Sequence, residues 1–303
     1  MSSNNNLDAE VVDICRCAAC GIAEVDDIKL KKCDGCDLVR YCSDECQKDH
    51  RQEHEAMCKE RAAELRDEIL FKQPESSNLG DCPICCLPFP LDTLKCIQYL
   101  CCSKRICNGC DDHANKAQLQ ENVQPSCPFC RCPVPETEEE INKNLMKRVE
   151  ANDPDALTYV GMEVAKSGDY YRAFKYWTKA AELGDALAHY QLSLCYANGE
   201  GVEKYEKKEK FHLEEAAIRG HRSARFNLMC RERDNGEIER AVKHLIISAS
   251  LGDDESIQAL KKCYRNEIVS KDDFAAALRA HHAAVKAMKS PQREAADQGD
   301  WGE

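Results

Sequence analysis

The placement of the cysteines limits what this chain can become more than any other feature. Nineteen of its 22 cysteines fall between Cys15 and Cys132, and the remaining 171 residues hold only Cys195, Cys230 and Cys263. The chain therefore divides into a half whose folding depends on metal or disulfide chemistry and a half of ordinary composition. Its opening residues, MSSNNNLDAE, offer neither a basic start nor an apolar stretch, the two marks of a secretory leader. An intracellular address, cytoplasmic or nuclear, is expected. Thiols stay reduced there, so repeated Cys-x-x-Cys pairs read as zinc ligands before they read as disulfides.

Charge and hydropathy exclude two classes of partner. No apolar run approaches the roughly 18 residues that a membrane span needs, and the mean hydropathy is −0.60, so no membrane partner is expected. Fifty-four acidic residues against 42 basic ones leave a net charge of −12. Such a surface repels a phosphate backbone, and no nucleic-acid partner is expected although zinc fingers invite one.

Along the chain, residues 1–14 read as a disordered N-terminus and 15–58 as a first cysteine module. Residues 59–81 read as a charged helix over 59–73, with Ala62, Leu65 and Ile69 on one face, and then the linker PESSN. A second cysteine module spans 82–132, and 133–148 is an acidic linker opening on PVPETEEE. Residues 149–289 carry a helical pattern, and 290–303, without apolar periodicity, read as a disordered tail.

The helical part repeats itself. AAELGDALAHYQL from Ala180, AAIRGHRSARFNL from Ala216 and SASLGDDESIQAL from Ser248 share one frame, into which VEANDPDALTYV from Val149 also fits. The anchors Asn152, Gly184, Gly220 and Gly252 are spaced 32, 36 and 32 residues apart, and the longer unit contains the additional residues of NGEGVEK. Each unit is then two antiparallel helices with a tight turn between units, and stacking supplies the core that one unit lacks. The Ala-Ala-Glu-x-Gly-Asp-Ala-x-Ala turn and the Gly199-Glu200-Gly201-Val202 loop resemble Sel-one-like repeats, relatives of the tetratricopeptide repeat. That resemblance implies a scaffold that binds a protein substrate or partner, while its Leu, Tyr and Phe positions read as solenoid core. The expected fold class is mainly α: an α-solenoid preceded by two small zinc-stabilised modules.

The first cluster runs Cys17-x-x-Cys20, Cys33-x-x-Cys36, Tyr41-Cys42-x-x-x-Cys46-Gln47, then His54-x-x-x-Cys58. Seven thiols and one imidazole suffice for two closed tetrahedral sites, the structural kind, whereas a catalytic zinc keeps a water. Order and spacing resemble a MYND zinc finger. The resemblance implies interleaved pairs, with Cys17, Cys20, Cys42 and Cys46 on one zinc and Cys33, Cys36, His54 and Cys58 on the other. Members of that family usually carry an aromatic, commonly Trp, three residues before the ligand His, where it helps form a shallow surface for Pro-rich peptides. Arg51 stands there in this chain, so metal binding is implied and peptide binding is not. Cys15 and His50 lie beside ligand positions and offer a slipped assignment, Cys15 reading rather as a spare thiol.

The second cluster runs Cys82-Pro83-Ile84-Cys85, Cys101-Cys102, Cys107-x-x-Cys110 and Cys127-Pro128-Phe129-Cys130-Arg131. Four pairs with Cys-Pro-x-Cys at both ends resemble an all-Cys RING finger. Its cross-brace implies Cys82, Cys85, Cys107 and Cys110 on one zinc and Cys101, Cys102, Cys127 and Cys130 on the other, for four zinc ions per chain in all. Adjacent cysteines make an awkward chelate and Lys104 stands where a standard RING has His, so Cys96 or His113 remain alternative ligands, with Cys86 and Cys132 as spare thiols. Neither cluster spans enough residues for a self-sufficient core. Structural zinc contributes roughly 10–16 kcal/mol per site in small fingers. Chelation is expected to unfold 15–132 and spare the repeats.

A RING finger implies a ubiquitin-protein ligase that holds a ubiquitin-loaded conjugating enzyme in a near-attack arrangement and supplies no catalytic side chain of its own. Ile84 and Pro128 match the apolar contacts to that enzyme. Arg131 matches the cation that bridges enzyme and ubiquitin, a task suited to its planar fork. In that reading the repeats, and the MYND module with them, hold the substrate. The alternative is a non-enzymatic adaptor whose zinc fingers and repeats are interaction modules. Corepressor recruitment through the MYND module suffers from Arg51, and a MYND-linked methyltransferase is set aside for want of a Gly-rich cofactor segment.

Overall fold

A computed structural model describes residues 16–25, 27–120 and 124–298. The expected N-terminal disorder over 1–14, and Cys15, lie outside those residues. The chain divides into two compact units, with the boundary between Leu70 and Phe71.

The first unit has little apolar material. A two-residue ladder pairs β1 (Lys31–Lys32) with β2 (Arg40–Tyr41) antiparallel. Two helices follow, α1 (Asp44–Asp49) and α2 (Arg51–Leu70). Ser43 caps α1 by accepting from the Cys46 N–H at 3.2 Å. Its hydrophobic cluster consists of the buried Cys17, Leu30, Cys33, Cys36 and Tyr41, so three of its five members are thiols. Helix α2 begins eight residues before the expected charged helix, taking His54 and Cys58 into its first turns. It ends at Leu70, which is buried, while Ile69 of the expected apolar face is exposed.

The second unit begins with residues 71–81, the last three residues of the expected charged helix and the linker that follows it. They are docked: Gln73 Nε2 donates to the Ile247 carbonyl at 3.5 Å, the Asn78 N–H donates to the Gly220 carbonyl at 3.2 Å, and Phe71 lies 4.9 Å from His244, ring to ring. The second cysteine module follows, with β3 (Cys96–Tyr99) antiparallel to β4 (Lys104–Cys107), then α3 (Asn108–Gln120). Cys82, Phe89, Ile106, Cys107 and Cys110 form its core.

Helix α4 (Glu138–Glu150) occupies much of the expected acidic linker. Thr137 caps it at 3.2 Å, and Glu138, Glu139 and Glu140 sit in its first turn, where the helix dipole favours negative charge. Its Leu145 packs with Ala156 and Val160, so it docks on the first repeat.

Four helical pairs then stack: α5 (Pro154–Lys166) with α6 (Tyr170–Glu182), α7 (Ala186–Asn198) with α8 (Glu206–Ile218), α9 (Arg222–Asp234) with α10 (Ile238–Ser250), and α11 (Asp254–Arg265) with α12 (Lys271–Ala287). The periodic anchors explain the joints. Asn152, Gly184, Gly220 and Gly252 have φ of 57, 89, 81 and 95°, the left-handed corner that ends a helix at little cost for Gly or Asn. The residue after each anchor caps the next helix: Asp153, Asp185, His221 and Asp253 each accept from the N–H three residues on. One core joins Leu157, Trp177, Leu192 and Cys195, and another joins Met229, Leu245, Ile257 and Leu260.

The expected disordered tail is corrected over most of its length. Residues Pro291–Gln298 form a helix, α13, packed against α3 of the cysteine module. Residues 299–303 lie outside the described residues.

Candidate metal centres

The sixteen side chains singled out as ligands lie in four groups of four, within each of which all donor atoms fall within 4.8 Å of one another. In the first unit the groups are Cys17, Cys20, Cys42, Cys46 and Cys33, Cys36, His54, Cys58. In the second they are Cys82, Cys85, Cys107, Cys110 and Cys101, Cys102, Cys127, Cys130. Both modules thus interleave their pairs, first with third and second with fourth.

Local backbone geometry presents these thiols. The N–H groups of Gly21, Asp37, Cys86 and Arg131 donate back to the carbonyls of Cys17, Cys33, Cys82 and Cys127 at 2.7–3.1 Å. Those four residues have φ between 54 and 73°. These four Cys-x-x-Cys pairs are therefore tight turns closed by a left-handed residue at the fifth position, which directs both sulfurs inward, whereas Cys107-x-x-Cys110 leads straight into α3. Cys86, read as a spare thiol, has this backbone role, and so does Arg131.

The spacing of the donors fits zinc. Four sulfurs about 2.3 Å from a tetrahedral ion stand about 3.8 Å apart. Cys20–Cys42, Cys42–Cys46, Cys33–Cys58, Cys85–Cys107, Cys102–Cys127 and Cys101–Cys130 are separated by 3.5, 3.6, 3.7, 3.9, 3.6 and 3.4 Å, and Cys36 Sγ lies 3.2 Å from His54 Nε2. All are far beyond the roughly 2.05 Å of a disulfide. Crowding sets the thiols against one another. Burial opposes ionisation of Cys17, but the N–H groups of Cys20, Cys42 and Ala19 prevail and lower it to about 6. Cys42 is pushed up to about 12, chiefly by the Cys20 and Cys46 thiols. A divalent cation relieves that conflict by stabilising all four thiolates together.

The alternative ligands stay outside the groups. His50 Nδ1 lies 3.0 Å from the Tyr41 hydroxyl, and its ring stacks on His54 at 5.7 Å; Tyr41 of the Tyr-Cys element is thus a buried post for the imidazoles. Cys96 faces Cys107 across the hairpin, and burial raises its thiol to about 11. His113 is exposed on α3, Lys104 is exposed at the start of β4, and Cys132 gives its carbonyl to the Cys127 N–H at 2.8 Å. Arg51 lies at the start of α2, exposed. Of the three residues read as contacts to a conjugating enzyme, Ile84 is 44 % exposed, Pro128 is half-buried and Arg131 is exposed.

One functional contact escapes sequence reasoning. Arg293 of α13 is buried, and its Nη2 lies 3.3 Å from Cys85 Sγ. No periodicity or spacing links residues 208 apart.

Comparison with known proteins reaches the first module and the repeats. The MYND finger family model matches residues 17–58, and the Sel1 repeat matches 155–185, 186–221 and 232–253. The chain is 25 % identical over 178 residues to DAP3-binding cell death enhancer 1 of Mus musculus, covering 46 % of this chain and 35 % of that one. The protein of the same name from Rattus norvegicus is 43 % identical over 47 residues, covering 16 % and 9 %. The chain thus spans about a third or less of the curated relatives it matches. Among solved structures, a Sel1 repeat protein from Oxalobacter formigenes is 24 % identical, with a TM-score of 0.42 over 59 % of this chain and 73 % of that one. The protective antigen c5321 of uropathogenic Escherichia coli is 24 % identical, with a TM-score of 0.40 over 48 % and 33 %. No described helix is long and apolar enough to cross a membrane.

Proposed function

We propose that this chain, which carries a MYND finger and Sel1 repeats, is a non-enzymatic adaptor that binds protein partners, with four zinc ions holding its two cysteine modules in shape. The observation that carries the reading is the completeness of the four donor groups. Each offers four protein ligand atoms, which leaves no coordination position for water or substrate, and closed sites build structure where open ones do chemistry. The sixteen side chains named above are the proposed ligands. The name of the mouse and rat relatives records binding to DAP3, and that protein is accordingly the first partner to test.

A second reading has its own support. The second module is cross-braced in the manner of a RING finger, Ile84 is 44 % exposed between its first two ligands, and Arg131 is exposed directly after the last. These features suit a ubiquitin-protein ligase that recruits a conjugating enzyme. Discharge of ubiquitin from a panel of loaded conjugating enzymes onto free lysine separates the two. The adaptor reading expects no acceleration by the zinc-loaded chain. Acceleration that Ile84→Ala or Arg131→Ala slows would replace it with the ligase reading. Loss of the Ile84 contact should then remove about 1.5–3 kcal/mol, or one to two decades in affinity.

A further inference from the structure

The donor group Cys82, Cys85, Cys107 and Cys110 is held from outside its own module. Arg293 lies beyond the last repeat, yet only 6 % of it is exposed. Its Nη2 donates to Cys85 Sγ at 3.3 Å and to the Leu87 carbonyl at 3.2 Å. Its Nη1 donates to the carbonyls of Pro88 and Met288 at 2.7 and 2.6 Å. One planar fork thus joins a sulfur of the group, the turn that follows Cys85, and the end of the repeats.

A second, independent observation concerns the backbone. Gly109 stands between Cys107 and Cys110 at the start of α3, and a Cβ there would lie 2.8 Å from the Arg293 nitrogen and 2.9 Å from the Gln292 carbonyl oxygen. Helix α13 therefore approaches the metal-binding turn more closely than any residue but glycine allows. Lys95 Nζ and Asp297, 2.5 Å apart, add an ion pair at the far end of α13.

The chemistry makes the two partners depend on each other. Four thiolates around a divalent cation carry a formal charge of −2, and hydrogen bonds from outside the coordination shell orient ligands and tune affinity. A buried guanidinium needs an anionic or strongly accepting neighbour to offset its desolvation. The thiolates provide one while metal holds them ionised, and the turn carbonyls of Leu87 and Pro88 keep their places only while Cys82 and Cys85 are fixed.

We propose that α13 is a zinc-dependent clasp: Arg293 is a positioning residue of the Cys82, Cys85, Cys107, Cys110 site that slows metal release, and the metal in turn keeps α13 docked, closing the repeat array onto the second cysteine module. This rests on the zinc occupancy proposed above.

The test uses the full-length, zinc-loaded chain. Zinc release into a chromophoric chelator is followed in wild type, Arg293→Gln, Arg293→Lys and Gly109→Ala, and hydrogen exchange of residues 288–298 is followed before and after metal removal. The clasp predicts that Arg293→Gln and Gly109→Ala speed the loss of one ion in four by roughly 10- to 100-fold. Arg293→Lys, which keeps the charge but not the fork, should fall between. Amides of α13 should lose protection in step with that ion. Uniform acceleration of all four ions, or α13 protection that survives metal removal, would overturn the clasp. Wild-type protein with fewer than four ions overturns the occupancy and the clasp with it, whereas four ions released alike from wild type and Arg293→Gln overturn the clasp alone.

Discussion

The third repeat joint uses a histidine where the other three use an aspartate, and this gives the solenoid a built-in sensitivity to acid. His221 is buried, its Nδ1 accepts from the Ala224 N–H at 3.2 Å as the cap of α9, and its ring stacks on Tyr190 at 4.5 Å. Only the neutral imidazole can accept that bond. Burial first, and the neighbouring Arg222 second, lower its pKa from 6.5 to about 4. A folded value below the unfolded one means that the unfolded chain binds the extra proton. The stabilisation is therefore complete above about pH 6.5 and is lost as pH falls toward 4. A shift of this size corresponds to about 3 kcal/mol in the limit, of which roughly 2 kcal/mol should be gone by about pH 5. His221→Asn keeps a good capping side chain that does not titrate. Urea denaturation of both proteins near pH 7 and near pH 5 gives the double difference, in which zinc loss and the other buried histidines cancel. Wild type should lose roughly 2 kcal/mol more than the variant over that interval. Equal losses would refute the assignment of a neutral, hydrogen-bonded His221.

Other expectations follow from the same packing. Gly161 lies under Trp177, where a Cβ would stand 2.5 Å from Nε1, so Gly161→Ala should cost about 1–3 kcal/mol through overpacking, read as a lowered melting temperature. Asp253 caps α11 while accepting from Ser256 and pairing with Arg222 at 3.0 Å. Asp253→Ala should cost about 2 kcal/mol or more in denaturant titrations, against a few tenths for Asp272→Ala on the exposed start of α12. The cores of the helical pairs contain none of the proposed ligands, so a fragment spanning 139–289 should stay helical and melt cooperatively in excess chelator. Circular dichroism showing an unfolded or chelator-sensitive fragment would contradict this.

The parts of the fold that announce themselves in the sequence are those built from repetition. A left-handed Gly or Asn and a capping Asp or His at each joint are local requirements, and they recur because the joint recurs, so the anchors at 152, 184, 220 and 252 mark the boundaries of the helical pairs. Paired cysteines are legible for a similar reason: a two-residue spacing is what the turn around a metal needs. Other features are set by contacts that leave no such trace. Helix α13 is hydrophilic, and it docks through Arg293, the Lys95–Asp297 ion pair and the missing side chain of Gly109, none of them visible as periodicity. Residues 74–78 carry the composition of a linker yet lie along the repeats, held by the backbone bond from Asn78 to Gly220, with which almost any side chain is compatible, and flanked by the Gln73 amide on the Ile247 carbonyl. The start of α2 was obscured because its first turns carry ligands rather than an apolar stripe. Cys86 reads as a spare thiol and Arg131 as a cation that bridges a conjugating enzyme and ubiquitin, although their left-handed backbone closes two of the metal-binding turns.

The central claim is that metal in this protein builds structure through four complete sites. Native mass spectrometry of the full-length chain, compared with the same chain denatured in acid, tests it most directly. The account predicts a mass difference of four zinc ions, with cobalt substitution giving the spectrum of tetrahedral thiolate sites and no change on adding exogenous ligands such as azide or cyanate. Fewer than four ions at full occupancy, or a cobalt spectrum that shifts when such ligands enter the coordination sphere, would contradict it.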